Sequence, residues 1–429
     1  MTQPILLKLK DAVKGNKRLV ENIFSLSVLQ GANYLLPLIT VPYLVRVLGP
    51  ERYGLLGFAQ AFAQYFVILT DYGFNMSATR QIALNQNDPR AISEIFSSVT
   101  LIKFSLMLVS FLLMVGVVSF LPDFQQYGPV YYLSFLLVLG NVLFPVWFFQ
   151  GMESMKYITI LNLSAKSLST LAIFALVHSK EDYLMAAGVQ ASGSVVAGLL
   201  SMGVLAKFFP LRLIWPSYKS LLEVLKDGWY IFLSSASISL YTTSSVFILG
   251  LVTNHQTVGY YNAANTLTRA VQGLLSPVFQ SIYPHMNALA KQSREAALGF
   301  IRKSLLSLGM VSLLFSVALF CLAEPLVRIG LGDKFLASIP LVRLMAALPL
   351  LIALGNLFGQ TMLTFSLNKP FSRILLFSGL FNLALIVPMT HWLGAEGTVI
   401  SVLLTEILVT GSMGFLLKRK GYRLFQFQS

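Results

Sequence analysis

The sequence predicts an all-α, polytopic membrane protein with about twelve transmembrane helices, on three observations. First, 56% of the 429 residues are hydrophobic and only 11% are charged. Soluble domains carry roughly a quarter charged residues, which excludes an ordinary water-soluble globule. Second, the apolar residues arrive in blocks of roughly 20, the length a helix needs to cross a hydrocarbon core. Third, the blocks lack the dyad alternation of an outer-membrane barrel.

The expected spans are 19–41, 54–71, 96–120, 130–150, 157–178, 183–206, 228–250, 259–283, 304–324, 338–365, 371–391 and 396–417. The second and eighth are the most polar and carry glycine. Pro37 and Pro42 are expected to kink the end of the first. With the N-terminus inside, interior segments hold 22 of the 31 basic residues and exterior loops hold five: Arg46, Arg52, Lys180, Arg328 and Lys334. That bias places both termini in the cytoplasm, so most of the net charge of +14 is topology rather than a nucleic-acid site. The remaining four, Lys103, Lys166, Arg269 and Arg343, fall inside spans. The single cysteine, Cys321, lies in a span, which leaves no disulfide framework and no thiolate metal site. The basic start precedes a span too long for a signal-peptide core, so it is expected to stay uncleaved.

The connection 207–227, with Pro210, Pro216 and the amphipathic stretch Tyr218–Lys226, divides the chain into an N-terminal lobe, 1–215, and a C-terminal lobe, 216–429. The halves look like a repeat. A shift of 205 lays Tyr53-Gly54 on Val258-Gly259, Gln60 on Asn265 and Gln64 on Arg269. A shift of 215 lays Gly140-Asn141-Val142-Leu143 on Gly355-Asn356-Leu357-Phe358. Six spans per half give both halves one orientation, related by an axis along the membrane normal. This is the plan of a two-lobed transporter that rocks one lobe against the other.

Polar residues inside spans then become site candidates. In the eighth span Asn262, Asn265, Arg269 and Gln272 fall within about an 80° arc of one helical face. Arg269 is near mid-depth, where a lone arginine costs at least about 2.5–3.5 kcal/mol unless water, a partner or a ligand meets it. The bland alternative is an arginine satisfied by carbonyls or by a structural ion pair. Gln60, Gln64 and Asp71 repeat the pattern in the second span, and Asn162, Lys166 and Ser169 in the fifth. Lys103 and Arg343 sit closer to span ends, where snorkelling is the competing explanation. Glu406 is the only acid deep in a span; with Asp71 it is the candidate for ion coupling. The seventh span carries Ser234, Ser235, Ser237, Ser239, Thr242, Thr243, Ser244 and Ser245 around Tyr241, which serve either as helix-packing glue or as a polar lining.

Catalytic readings find no support. His178, His255, His285 and His391 are scattered over both faces, and no metal-binding, Walker or glycine-rich phosphate motif is present. No metal and no cofactor is expected. Deep Arg and Lys beside amides suit an anionic, hydroxyl-rich substrate, because guanidinium groups bind phosphates and amides bind sugars.

The stretch Tyr43–Gly54, with Arg46, Glu51, Tyr53 and Gly54, resembles the first exterior loop of bacterial polysaccharide flippases of the Wzx (O-antigen exporter) type. So do Asp71-Tyr72-Gly73-Phe74, Arg80-Gln81-Ile82-Ala83 and the block from Leu249 to Pro277. The resemblance runs from about residue 20 to 420. Ser244-Ser245-Val246 and His285 depart from the family pattern, where Asn or Asp, and Arg, are frequent. It implies two lobes in a V shape within the multidrug/oligosaccharidyl-lipid/polysaccharide exporter superfamily. It further implies movement of undecaprenyl-pyrophosphate-linked oligosaccharide across the bacterial inner membrane, with coupling to an ion gradient or membrane potential.

On that reading Arg269, Lys166 and Lys103 attract pyrophosphate, while Asn262, Asn265, Gln272, Gln60, Gln64, Asn162 and Tyr241 hold sugars. The expected partners are the lipid-linked oligosaccharide, the membrane, and a polymerase and chain-length regulator of the same glycan pathway. Two alternatives remain open: a multidrug or cation antiporter of the same fold, and a membrane enzyme of glycan assembly. The first calls for an acidic cavity and the second for a substantial exterior loop.

Overall fold

The structure, a computed structural model, describes residues 17–422 and 424, without the side chains of 17–20, 22–24, 26, 234, 237, 238 and 240–242. The basic residues Lys8, Lys10, Lys14 and Arg423 therefore lie outside the described residues. All regular elements among the described residues are helical. Among the described residues eight helical segments are long and apolar enough to cross a membrane, and the chain is a multi-pass membrane protein.

Several connections expected as loops are breaks within continuous helices. Lys17–Asp71 runs on as one helix past Pro37, Pro42 and Pro50, interrupted only at Gly49, whose φ of 73° suits glycine. The Tyr43–Gly54 motif, expected as a loop, is thus helix, break and helix. Asn368–Arg419 is built the same way around Gly394 (φ 58°). Its two arms are zipped by hydroxyls and amides: Thr390 Oγ1 lies 2.8 Å from Thr398 Oγ1, and Asn382 Nδ2 donates to Thr405 Oγ1 at 2.8 Å.

The other helices follow the chain in order. Pro89–Phe120 starts on Asp88, whose side chain accepts from the Arg90 and Ala91 amides, an N-cap that satisfies donors the helix leaves open. Gly128–Gly151 is broken at Phe135 and at Phe144-Pro145. Met155–Leu176, Tyr183–Phe208, Arg294–Cys321 and Leu348–Thr364 are single helices. The amphipathic stretch 218–226 is the first part of Tyr218–Thr242, which Thr243 separates from Ser244–Val252. His255–Gln292 stays helical through Pro277 and Pro284.

The chain divides into two compact units. The first comprises the described residues up to Leu36, Phe62–Val177 and Leu184–Ser235. The second comprises Pro37–Ala61, His178–Tyr183 and the described residues from Ala236 onward. They differ from the lobes read from sequence in two main places: residues 37–61 group with the second unit, and 216–235 with the first.

The first unit packs Phe74, Ile82, Phe96, Trp147, Phe148, Leu205 and Val224 into one apolar core. The second packs Met286, Ile301, Leu357, Phe358, Met362, Met413 and Leu417. The internal repeat shows in matching contacts inside each unit. Ser194 Oγ donates to the Leu136 carbonyl at 3.4 Å, and Thr410 Oγ1 donates to the Leu351 carbonyl at 3.2 Å. A Cβ on Gly198 would meet Leu143 at 2.6 Å, and one on Gly414 would meet Phe358 at 3.2 Å. Small residues let helices approach to where such hydrogen bonds form.

Candidate functional site

In the second unit, Arg269 lies on the 255–292 helix with its side chain exposed, and no hydrogen bond or ion pair engages it among the described residues. Asn265 and Gln272, on the same face, are half-buried and likewise make no side-chain hydrogen bond among the described residues. An unpaired guanidinium flanked by two free amides can bind an anion that carries hydroxyls. Asn262 is placed differently. A Cβ on Gly57 would lie 1.8 Å from its Nδ2, so its amide packs into the notch that Gly57 leaves. Gln60 is half-buried and has a partner, while Gln64 is exposed.

Glu406 is half-buried and has no hydrogen bond or ion pair among the described residues. Tyr241 has a helical backbone, but its side chain is outside the described residues. Of the neighbouring hydroxyls, Ser245 is buried and hydrogen-bonds Tyr261. At that position the hydroxyl works as packing glue.

The first unit brings Lys103 and Asp71 together. Lys103 is 2% exposed, and its ammonium donates to Asp71 Oδ1 at 3.0 Å, to Asn141 Oδ1 at 3.1 Å and to the Asn141 carbonyl at 3.3 Å. Asp71 Oδ2 also accepts from Asn75 Nδ2 at 3.3 Å. The lysine therefore does not snorkel: its charge is neutralised where it stands. Lys166 is exposed, and its Nζ donates to Asn33 Oδ1 at 2.5 Å. Asn162 turns back to its own helix, donating to the Ile158 carbonyl at 3.0 Å.

The motif residues mostly build contacts. Arg46 donates to the Ile329 carbonyl and, at 3.4 Å, to the Gly330 carbonyl. Tyr53 hydrogen-bonds Thr266 and meets Phe335 edge-on at 6.2 Å. Gly54 lies where the helix crosses 255–292: a Cβ there would be 1.7 Å from the His255 carbonyl oxygen. Glu51 is exposed and acts electrostatically on His255. Gly73 (φ 77°) is pressed against the Gly228 carbonyl and Ile231. Arg343 pairs at 4.0 Å with Glu324, which also holds Arg328 at 3.0 Å.

Sequence reasoning missed Asn33 and Asn141 as partners of the deep lysines. Asn141 belongs to the repeat block Gly140–Leu143, but its role needs the distance to Lys103. Among the described residues no group of three or more His, Cys, Asp or Glu is placed to hold a metal ion.

Residues 19–290 match the family described as "Polysaccharide biosynthesis protein". The chain belongs to that family. A curated relative from Escherichia coli (strain K12), named "Putative O-antigen transporter", is 36% identical over 91% of this chain and 95% of its own length. A relative of the same name from Shigella dysenteriae is 31% identical over 91% of this chain and 97% of its own length. Among solved structures, an inward-facing multidrug resistance MATE family transporter of the MOP superfamily aligns with a TM-score of 0.70 at 14% identity, covering 92% of this chain and 96% of that one. The lipid II flippase MurJ, in an inward closed conformation, aligns with a TM-score of 0.69 at 12% identity, covering 92% and 88%. At these identities the two structures establish the shared fold.

Proposed function

We propose that this family member is a flippase, and not an enzyme, that carries undecaprenyl-pyrophosphate-linked oligosaccharide repeat units from the inner to the outer leaflet of the bacterial inner membrane. Twelve crossings in two six-span lobes, with both termini cytoplasmic, would do this by alternating access. The family and the names of the curated relatives support the O-antigen substrate class. The single observation that carries the reading is Arg269, an exposed guanidinium on the 255–292 helix that makes no hydrogen bond or ion pair among the described residues and is flanked by Asn265 and Gln272.

In this reading Arg269 and Lys166 attract the pyrophosphate, and the amides hold sugar hydroxyls. Lys103 is already neutralised by Asp71, so both become structural. Glu406 then stands as the carboxylate for ion coupling. The polymerase and chain-length regulator of the pathway would receive the flipped unit on the outer face.

The test replaces Arg269 with Ala and with Lys in the native gene and measures surface glycan and membrane protein level. Arg269→Ala should abolish surface glycan at unchanged protein level, and Arg269→Lys should keep part of it, since the charge stays while the fork is lost. Normal glycan in Arg269→Ala would overturn the reading.

A further inference from the structure

Between the helices Tyr183–Phe208 and Tyr218–Thr242 the chain runs non-helical across the end of Pro89–Phe120. Its backbone is satisfied in an unusual way. The Arg212 amide donates to Ser93 Oγ at 3.2 Å and the Ile214 amide to Ser97 Oγ at 3.0 Å. Both serines are buried, and each hydroxyl donates in turn to the carbonyl four residues back, Ser93 to Pro89 at 2.7 Å and Ser97 to Ser93 at 2.8 Å. The Phe209 amide reaches the Leu205 carbonyl at 3.0 Å, and the Leu211 amide reaches that of Phe209 at 2.8 Å. Pro210 and Pro216 have no amide hydrogen to satisfy.

Two serines one helical turn apart thus hold every second amide of a passing strand. The residues between and after them point the other way: Leu213 is 83% exposed and Trp215 87%. Tyr218 and Phe208 are exposed beside them, with Lys207, Arg212 and Lys219 also exposed. Non-helical backbone is costly near the bilayer because its amides lack partners there, and here most of them are already bonded. Large apolar and indole side chains ringed by lysine and arginine match the composition of a membrane–water interface on the cytoplasmic side.

We propose that residues 209–217 form an interfacial strap. Leu213 and Trp215 insert among the lipids of the cytoplasmic leaflet, Arg212 and Lys219 engage anionic phospholipid headgroups, and Ser93 and Ser97 fix the depth. The strap holds the connection between the two halves at the membrane surface. It rests on the cytoplasmic placement of this connection and is independent of the substrate.

The test uses the full-length protein carrying Cys321→Ser. Single cysteines at Leu213→Cys, Trp215→Cys and Lys219→Cys are spin-labelled and reconstituted in phosphatidylcholine vesicles with or without phosphatidylglycerol. Collision with oxygen, which partitions into lipid, is compared with collision with a water-soluble nickel chelate. The labels at 213 and 215 should favour oxygen several-fold over the label at 219, and phosphatidylglycerol should increase that preference. Adding Ser93→Ala and Ser97→Ala to the 215 variant should shift the label towards the chelate. Chelate access at 213 and 215 equal to that at 219 would overturn the proposal. So would exclusion of both reagents, the sign of a protein partner covering the strap. A depth indifferent to phosphatidylglycerol would remove the headgroup contacts, and one indifferent to the serine changes would remove the pinning.

Discussion

Gly54 and Gly259 occupy equivalent places in the internal repeat, and each lies against the residue equivalent to the other's neighbour. A Cβ on Gly54 would meet the His255 carbonyl oxygen at 1.7 Å, and one on Gly259 would meet the Pro50 carbonyl oxygen at 2.0 Å. Pro50 and His255 are themselves 205 residues apart, as are the glycines. The crossing is locally two-fold, like a self-complementary interface between identical subunits. The flippase-like motif that carries Gly54 is thus a helix-packing device.

Gly54→Ala and Gly259→Ala should each destabilise the protein, because the obstacle is backbone that cannot rotate away. Overpacking of this kind costs about 1–3 kcal/mol. Gly57→Ala should cost less, since its Cβ meets the Asn262 side chain, which can turn aside. Melting temperatures of the purified variants in detergent check the order; Gly57→Ala melting lowest would contradict it.

Lys103→Met should leave the Asp71 carboxylate without its ammonium partner, 3.0 Å away in the native protein. Breaking one side of a fully buried pair costs about 3–5 kcal/mol; the Asp71 side chain is 25% exposed, so the loss here should be smaller, and removing both charges milder still. The double variant Asp71→Asn, Lys103→Met should therefore melt above Lys103→Met alone. A double variant no better than the single would show that the pair is not the main interaction of Lys103.

Asn33→Leu should reduce surface glycan by releasing the Lys166 ammonium from its acceptor at 2.5 Å. Lys166→Met should reduce it further. The two together should behave as Lys166→Met alone, since Asn33 acts through the lysine. Additive losses in a glycan assay of the four strains would separate the two residues.

His255, the first residue of the 255–292 helix, gives a pH effect with a definite sign. Burial pushes its imidazole below the ordinary 6.5, with Glu51 opposing and Arg52 reinforcing the shift. The folded protein therefore binds fewer protons than the unfolded chain as pH falls below about 6.5, and stability drops with them. The contribution is fully present above that pH. The melting temperature should fall on acidification from neutral pH, and His255→Gln should flatten that slope; an equal slope in both proteins would refute the assignment.

The sequence by itself determined the class and the inventory. Sparse charge and apolar blocks of membrane length suffice for a helical membrane protein, because the bilayer permits few alternatives. The cations inside expected spans, Lys103, Lys166 and Arg269, were also legible, since a charge stands out in a run of Leu and Phe. Even the repeat was visible, in the pairing of Tyr53-Gly54 with Val258-Gly259.

Which cation is free and which is spent belongs to the tertiary structure alone. Lys103 and Arg269 are both cations inside expected spans, yet one is bonded to Asp71 and Asn141 while the other makes no hydrogen bond or ion pair among the described residues and acts electrostatically on Tyr261. Asp71 is 32 residues from Lys103 and Asn141 is 38. Periodicity places each residue on a face of its own helix, but not the face of the next helix beside it. The same limit explains Gly49 and Gly394, where single left-handed residues replace the expected loops. Distance in space, set by how helices cross, divides the polar residues of the helices between those held by partners, such as Lys103, and those left open, such as Arg269.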